Sequence, residues 1–225
     1  MNTNKKESKG FEFRKAMKKD ALFPFLKYVP VANYIYRPIA SLVVRALFNT
    51  AITPTQVTYI SFFLGILSGI FFCFGEPLYF IIAAILLQVS LVFDCADGML
   101  ARSKDMCTRF GGYLDLFLDR IVDFFVFTGI AIGHFVYSGN LKLFIAGVFA
   151  TALAFLEISL DYITRNYDQR KKTGEGGAVK HIIVFFTSIL SFVNRLDIFI
   201  FTLLITTIII ISVRVLTFPL LGRKK

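Results

Sequence analysis

Charged side chains are scarce in this sequence of 225 residues. They make up 18% of the chain, whereas 56% of its residues are hydrophobic. A typical soluble domain is about 25% charged, so the shortage excludes an ordinary soluble globular protein. The mean hydropathy of +0.68 agrees, because so much apolar surface calls for a lipid bilayer around the protein.

The sequence also lacks a polar surface on which its basic residues could cluster. The formal net charge is +10, and residues 1–50 hold ten Lys and Arg against three acidic residues. A nucleic-acid-binding protein can share the pI of 9.6, but it gathers its basic residues on a folded polar face. The basic amino end is instead typical of a segment that faces a membrane, and we predict no nucleic-acid partner.

Cysteine is rare, and no leader segment is evident. Cys73, Cys95 and Cys107 lie in or beside apolar stretches without the spacing of a metal site, so we expect free thiols and no disulfide framework. The first ten residues, MNTNKKESKG, lack the apolar region of a signal peptide. We therefore expect internal segments to drive membrane insertion.

Long runs almost free of charge follow the basic amino end. A helix that crosses the hydrocarbon core needs about 20 mostly apolar residues. Six runs fit, at 56–74, 78–93, 112–137, 143–164, 179–193 and 196–216. The fifth is short, and an interfacial helix is the alternative there. We predict an all-α integral membrane protein with about six transmembrane helices, in which residues 51–225 form the transmembrane domain.

Residues 1–50 are predicted to form a basic cytoplasmic and juxtamembrane segment. Its end carries an apolar row at helical spacing beside Arg37 and Arg45, formed by Ile35, Ile39, Leu42, Val43 and Ala46. Such a pattern predicts an amphipathic helix in the headgroup plane, and a solvated linker helix is the alternative. Thr53 and Pro54 then provide the N-cap and first position of the next helix.

The distribution of Lys and Arg predicts the orientation. With six spans, one side of the membrane receives the amino end and three further basic groups: Arg102, Lys104 and Arg109; Arg165, Arg170, Lys171 and Lys172; and Arg223, Lys224 and Lys225. That side is predicted to be the cytoplasm, and the membrane the cell membrane. Arg195 and Asp197 would then fall on the opposite side.

Four carboxylates stand where a membrane span should be apolar. Asp94 and Asp97 are three residues apart at the end of the second run, and Asp115 and Asp119 are four apart near the start of the third. Each pair lies on one helical face. If the two helices pack together, four like charges converge and require positive charge between them. Oxygen ligands suit Mg²⁺ or Mn²⁺, and two such ions would balance the four charges.

Small residues and one cation accompany the acids. Gly98 and Ala101 leave a groove beside Asp97, and Gly111 lies one turn before Asp115. Such a groove lets a flat polar ligand approach the backbone, although small residues also serve helix packing. Arg102 adds a cation suited to phosphate oxygens.

The complete spacing resembles the signature of the CDP-alcohol phosphatidyltransferases. It runs as Asp94-Cys-Ala-Asp97-Gly98-Met-Leu-Ala101-Arg102, eight residues, Gly111, three residues, Asp115, three residues and Asp119. The resemblance extends from about Arg37 to Arg165. It implies transfer of a phosphatidyl-type group from a CDP-linked lipid to a small alcohol with release of CMP, and a homodimer among membrane lipids.

The resemblance also implies a role for each residue of the signature. Asp94, Asp97 and Asp115 would bind metal, and Asp119 would bind metal and act as the base that takes the proton of the acceptor hydroxyl. Pure metal ligation is the alternative for Asp119. Residues of the CDP site would be Gly98, Ala101, Arg102 and Gly111.

The acceptor is the least determined part of the reaction. The stretch from Tyr162 to Arg165 resembles the branch that transfers to inositol phosphates, and serine and glycerol phosphate are alternatives. Arg165 and Arg170 are candidate contacts for an acceptor phosphate, and Arg195 is one only if the fifth run does not cross the membrane. The alternatives are a pair between Asp161 and Arg165 on one helix face and, for Arg165 and Arg170, ordinary positive-inside charge. The donor could be diacylglycerol-based or an archaeol-like ether lipid.

Two other functions share parts of this pattern. A cation channel or transporter would distribute its acids through the membrane depth, often on interrupted helices. Here the acids gather at one end and precede Gly98 and Arg102, which favours an enzyme. An enzyme with the reverse donor would pass the group of a soluble CDP-alcohol to a lipid hydroxyl, but relatives of that kind are usually longer chains.

Overall fold

The computed structural model describes residues 35–167, 187–191, 193 and 195–221, apart from the side chains of residues 158–159, 161–167 and 213–221. Within these ranges the chain forms α-helices and no β-strand, as the sequence predicts. The helices are α1 (Arg37–Leu47), α2 (Pro54–Cys73), α3 (Pro77–Ser103), α4 (Arg109–Ser138), α5 (Leu141–Tyr167) and α6 (Leu196–Leu221).

Five of the predicted apolar runs correspond to α2 through α6. Two of these helices, α2 and α3, are long and apolar enough to cross a membrane. The run at 179–193 falls largely outside the described residues. Helix α3 continues past the end of its apolar run at Phe93 and reaches Ser103, so the first acid pair lies on the same continuous helix as the apolar segment.

Helix α2 begins as its sequence predicts. The Gln56 amide donates to the Thr53 hydroxyl oxygen over 3.3 Å, and the Thr53 amide donates to Oε1 of Gln56 over 2.9 Å. This reciprocal pair satisfies two amides at the helix start. Pro54 occupies the first helical position, where no amide hydrogen is required.

The chain divides into two compact units. The described part of the first comprises residues 35–67 and 85–122, and that of the second comprises 68–84, 123–167 and the described residues from 187 onward. All four acids of the sequence signature belong to the first unit.

In the first unit, α1 packs on α2 and α3. The buried core cluster consists of Ala40, Val44, Val57, Ala96, Met99 and Leu100. Two serines tie α2 to α3: Ser61 Oγ donates to the Ser90 carbonyl and Ser90 Oγ to the Ser61 carbonyl, each over 2.9 Å. Helix α4 approaches α2 at Gly65, where a Cβ would lie 2.5 Å from Val122 Cγ1.

Helix α1 has apolar residues on two faces. Ala40 and Val44 are fully buried against the first unit, whereas Ile39 and Leu42 are 46% and 65% exposed. The exposed pair belongs to the apolar row that the sequence shows at helical spacing, whereas Val43 of the same row packs against the core cluster.

In the second unit, helices approach each other at backbone contact distance. A Cβ on Gly133 of α4 would lie 1.8 Å from the Phe72 carbonyl oxygen of α2. Helices α5 and α6 pack against each other, and the rings of Phe127 and Phe199 join α4 to α6 at 6.2 Å between centroids.

Candidate active site

Three carboxylates converge between α3 and α4 in the first unit. One oxygen each of Asp94, Asp115 and Asp119 lies within 4.8 Å of the others, and all three side chains are half-buried. Asp94 comes from α3, and the other two come from successive turns of α4. The side-by-side packing that the two i, i+3 and i, i+4 spacings require is therefore present.

Asp97 is the buried member of the acidic group. It is only 5% exposed, and Asp115 and Asp119 are close enough to repel its charge. The Thr58 hydroxyl, which donates to the Pro54 carbonyl over 3.2 Å, lies near the carboxylate of Asp97. Its second oxygen, Oδ2, is buried and accepts no hydrogen bond.

These four residues fit a divalent cation. A buried carboxylate oxygen without a donor carries a large desolvation cost, and a cation beside Oδ2 of Asp97 would remove that cost. The donor set consists of carboxylate oxygens, which suit Mg²⁺ and Mn²⁺. Positive charge at this point would also offset the repulsion among the converging acids.

The guanidinium of Arg102 lies over Gly98, which is one turn earlier on α3. A Cβ on Gly98 would be 3.3 Å from Nη1 and 3.7 Å from Nη2 of the guanidinium. An alanine at position 98 would therefore require the guanidinium to shift by a few tenths of an ångström. Ala101 and Arg102 are both half-buried, in the last turn of the helix that carries Asp94 and Asp97.

The connection from α3 to α4 is closed by local hydrogen bonds. Asp105 adopts a positive φ of 53°, and the Met106 amide donates to the Ala101 carbonyl over 2.8 Å, which terminates α3. Thr108 caps α4, because its hydroxyl accepts from the Gly111 amide over 2.9 Å. A Cβ on Gly111 would lie 3.0 Å from that hydroxyl. A larger residue at position 111 would therefore crowd the hydroxyl that caps the helix.

Lys104 joins this connection to the start of α2. Its Nζ donates to the carbonyl oxygens of Thr50 and Ile52 over 2.9 Å and 2.8 Å. The segment between α1 and α2 is thereby attached to the end of the helix that bears Asp94 and Asp97.

The candidate acceptor residues are described less fully. Arg165 belongs to the last turn of α5, but its side chain and all of Arg170 lie outside the described residues. Arg195 forms an ion pair with Asp197, with Nε and Oδ1 3.1 Å apart. Both partners belong to the second unit, and the assignment of Arg195 to an acceptor phosphate stays a prediction.

Sequence reasoning missed two residues of this region. Thr58 belongs to the segment that resembles the family, yet nothing in its spacing indicates a place beside Asp97. The sequence predicts for Lys104 only a contribution to the positive charge on the cytoplasmic side. One indication of the position of Thr58 is its neighbour Val57. Val57 is fully buried in the cluster that contains Ala96, the residue before Asp97.

The sequence pattern of the CDP-alcohol phosphatidyltransferases matches residues 51–218. The chain belongs to this family. The CDP-alcohol phosphatidyltransferases are transferases of phospholipid synthesis and membrane proteins, so the resemblance seen in the signature is confirmed.

Two relatives show how far the similarity of this CDP-alcohol phosphatidyltransferase extends. An archaetidylinositol phosphate synthase of Pyrococcus horikoshii is 37% identical over 92 residues, which cover 41% of this chain and 47% of the relative. A phosphatidylinositol phosphate synthase of Corynebacterium glutamicum is 28% identical over 149 residues, covering 66% of this chain and 64% of the relative. The matched segment thus spans about half the length of the first relative.

The fold is also that of a solved structure. A phosphatidylinositol phosphate synthase of Mycobacterium tuberculosis with CDP-DAG bound superimposes with a TM-score of 0.64 at 23% identity, over 80% of this chain and 93% of that one. Another crystal structure of the same protein contains manganese and citrate. At this identity the likeness shows a shared fold.

Proposed function

We propose that this protein transfers a phosphatidyl-type group from a CDP-linked lipid to a small alcohol and releases CMP. The convergence of Asp94, Asp115 and Asp119 within 4.8 Å carries the proposal, since it builds a carboxylate-only site beside the glycine groove of a family that uses such donors. The donor is a CDP-diacylglycerol or a CDP-archaeol-like lipid.

The donor site is formed by Gly98, Ala101, Arg102 and Gly111. Two divalent cations, Mg²⁺ or Mn²⁺, held by Asp94, Asp97, Asp115 and Asp119 would neutralise the diphosphate and stabilise the departing CMP. The Arg102 guanidinium, which lies over the unsubstituted face of Gly98, would contact phosphate oxygens through paired N–H groups. Because Gly98 has no side chain, there is room here for the guanidinium and for the phosphate oxygens that it would contact.

The acceptor side needs a base and a site for a polar headgroup. Asp119 takes the proton of the attacking hydroxyl, since its carboxylate lies with the other acids and one turn farther along α4 than Asp115. Inositol phosphate is the proposed acceptor, with Arg165 and Arg170 as contacts for its phosphate, and with Arg195 as a third contact only if the segment at 179–193 does not cross the membrane. The names of the Pyrococcus and Corynebacterium relatives support an inositol phosphate product, and serine and glycerol phosphate are the competing acceptors.

Helix length supports a site at the membrane surface. At 1.5 Å per residue, Asp94 lies about 26 Å from the start of α3, and Asp119 about 28 Å from the end of α4. A hydrocarbon core is about 30 Å thick, so both acids come near one boundary. We propose six spans in the cell membrane, a cytoplasmic active site, α1 in the headgroup layer and a homodimer.

The experiment is an assay of CMP release by the purified protein. CDP-diacylglycerol and CDP-archaeol are offered with inositol phosphate, inositol, serine or glycerol phosphate, with Mg²⁺ or with chelator. We expect release with inositol phosphate and Mg²⁺, and its loss in chelator. Full activity in chelator would refute the metal assignment, and release with another acceptor alone would correct the acceptor.

Variants of single acids connect the assay to the site. Replacement of Asp94, Asp97 or Asp115 by Asn should lower turnover by more than about 100-fold, beyond the 10- to 100-fold effect typical of outer-shell changes around a metal. Glu76→Gln is the matched control, because Glu76 is an exposed acid between α2 and α3. Equal losses in all four variants would mean that the acids act on stability alone.

A further inference from the structure

We infer that Lys104 is a positioning residue of the donor site, which holds the last turn of α3, and with it the Arg102 guanidinium, where the diphosphate of the donor binds. The inference rests on the proposed function for the identity of that donor. Lys104 directly follows Ser103, the last residue of α3. It occupies one of the unspecified positions between Arg102 and Gly111, so the signature itself assigns it no role.

The ammonium group of Lys104 joins two segments that are far apart in the chain. Its Nζ donates to the carbonyl oxygens of Thr50 and Ile52, which lie 54 and 52 residues earlier, over 2.9 Å and 2.8 Å. Both acceptors belong to the connection between α1 and α2. Hydrogen bonds from a charged donor are stronger than those from a neutral one, and two acceptors together fix the direction of the side chain.

The segment that receives the ammonium is itself held in place. The Thr50 hydroxyl donates to the Leu47 carbonyl over 2.7 Å and accepts from the Ile52 amide over 3.3 Å. The side chains of Leu47 and Ile52 pack against the buried core cluster of the first unit. The two carbonyl groups therefore form a fixed anchor for Lys104.

The backbone of Lys104 closes the last turn of α3. Its amide donates to the Leu100 carbonyl over 2.9 Å, and the Met106 amide donates to the Ala101 carbonyl over 2.8 Å. Helix ends fray because their last carbonyl groups lack partners within the helix. Lys104 attaches this end to the anchor, so the turn that carries Ala101 and Arg102 keeps its position.

A fixed turn matters for Arg102 because its side chain is long. The guanidinium lies over Gly98, with Nη1 3.3 Å from the place of a Cβ at that position. This location depends on where the backbone of Arg102 stands as well as on the rotamer. A turn that is already ordered leaves less to be ordered when the donor binds, and such preorganisation increases affinity.

Four variants separate positioning from packing and from direct contact with the donor. Lys104→Met keeps the aliphatic stem and deletes the ammonium, whereas Lys104→Arg keeps a charged donor. Lys142→Met is the matched control, since it removes an exposed lysine at the start of α5. In an Arg102→Ala background, a residue that acts through Arg102 has nothing left to position.

The test measures equilibrium binding of labelled CDP-diacylglycerol to the purified protein in detergent, with Mg²⁺ and no acceptor alcohol. Lys104→Met should weaken binding by roughly 10-fold, within the range for residues that are directly coupled. Lys104→Arg should stay within about threefold of wild type, because a guanidinium also donates to carbonyl groups. Lys104→Met should change the affinity of Arg102→Ala by less than about twofold, the usual limit of additivity.

A second measurement excludes a general disturbance of the site. The affinity for Mn²⁺ without donor is measured by electron paramagnetic resonance of the free ion. Lys104→Met should leave this affinity at the wild-type level, because the acids lie on earlier turns of α3 and on α4. A loss of Mn²⁺ affinity as large as the loss of donor affinity would overturn the inference.

The donor measurements can overturn it in three other ways. These are wild-type binding in Lys104→Met, an equal loss in Lys104→Arg or Lys142→Met, and an undiminished loss in the Arg102→Ala background. The last result would mean that Lys104 contacts the donor itself. If Lys104→Met does not fold, Lys104→Gln poses the same comparison. If Arg102→Ala binds no donor, Gly98→Ala, whose Cβ shifts the guanidinium, replaces it.

The wild type separates this inference from the proposed function. A wild type that binds CDP-diacylglycerol but releases no CMP with any acceptor would refute the proposed function, and the binding data would still decide the role of Lys104. A wild type that binds no CDP-linked lipid would refute both.

Discussion

The hydroxyl of Tyr36 donates a 2.6 Å hydrogen bond to Oε1 of Gln88 and so joins the residue before α1 to the middle of α3. Tyr36 is 1% exposed, and burial raises its pKa from 10.0 to about 12. A polar side chain within an apolar helix is thus satisfied by a neighbouring element. This contact and the core around Ala40 and Val44 together fix α1 on the first unit.

Tyr36→Phe removes only this hydroxyl and should destabilise the protein by about 1 kcal/mol, the usual net value of one hydrogen bond. For a chain of this size that corresponds to a fall in Tm of about 2–4 °C, measured by thermal unfolding in detergent. Tyr59→Phe is the control, because Tyr59 is 42% exposed on α2. Equal shifts in the two variants would show that the bond contributes nothing.

The same bond predicts a dependence on pH. A tyrosine in the unfolded chain ionises near pH 10, and Tyr36 in the folded protein near pH 12. Its contribution to stability is therefore complete below pH 10 and is lost as the pH rises to about 12. The difference in Tm between wild type and Tyr36→Phe should shrink over this interval.

Local chemistry made much of the fold predictable. The position of Thr53 before Pro54 predicts the N-cap of α2, and its hydroxyl accepts from the Gln56 amide as expected. Gln88 is a polar residue on an apolar helix, and it accepts a hydrogen bond from Tyr36. These features depend on a few neighbouring residues or on the cost of an unpaired amide in an apolar helix, which the sequence displays directly.

Contacts between distant segments were not predictable in the same way. The position of Thr58 near Asp97 depends on how α2 is rotated against α3, which is set by the packing of Val57, Ala96 and Leu100 together. The position of Arg102 over Gly98 is a choice among rotamers of a long side chain. The spacing of the acids predicts two acidic helix faces, but only the structure shows that these two faces pack against each other.

Cys107 provides a native reporter of orientation. It is exposed in the connection from α3 to α4, whereas Ser103 is 9% exposed and donates to the Met99 carbonyl, so Ser103 is a poor labelling site. In a Cys73→Ala, Cys95→Ala background, an impermeant maleimide should not label Cys107 in sealed right-side-out vesicles. It should label Cys107 after lysis. Labelling of the sealed vesicles would reverse the proposed orientation.

Gly133→Ala tests the backbone contact between α2 and α4. The new Cβ would lie 1.8 Å from the Phe72 carbonyl oxygen, so the helices must separate, at a cost of about 3 kcal/mol, the upper end for overpacking. Gly112→Ala on the same helix is the control, since nothing lies within 4 Å of its Cβ position. Its Tm should rise slightly, because Ala is favoured over Gly in helices by about 0.5–1 kcal/mol. A Gly133→Ala variant as stable as wild type would refute the close approach.

Asp119→Asn distinguishes a base from a ligand. If Asp119 takes the proton of the acceptor hydroxyl, the variant should keep most of its affinity for the CDP-lipid, because Asp94, Asp97 and Asp115 still hold metal. Turnover should then fall by about 10²- to 10⁴-fold, the range expected for loss of a general base. Donor affinity is measured by binding of the CDP-lipid and turnover by CMP release.

The alternative for Asp119 predicts a different pair of numbers. If it is a metal ligand only, affinity and turnover should fall together, and excess Mg²⁺ should restore part of both. The geometry permits both roles, since its carboxylate lies within 4.8 Å of those of Asp94 and Asp115. Normal donor affinity with slow turnover that Mg²⁺ does not rescue identifies the base. Rescue to nearly wild-type rates contradicts it, because added metal cannot replace a proton acceptor.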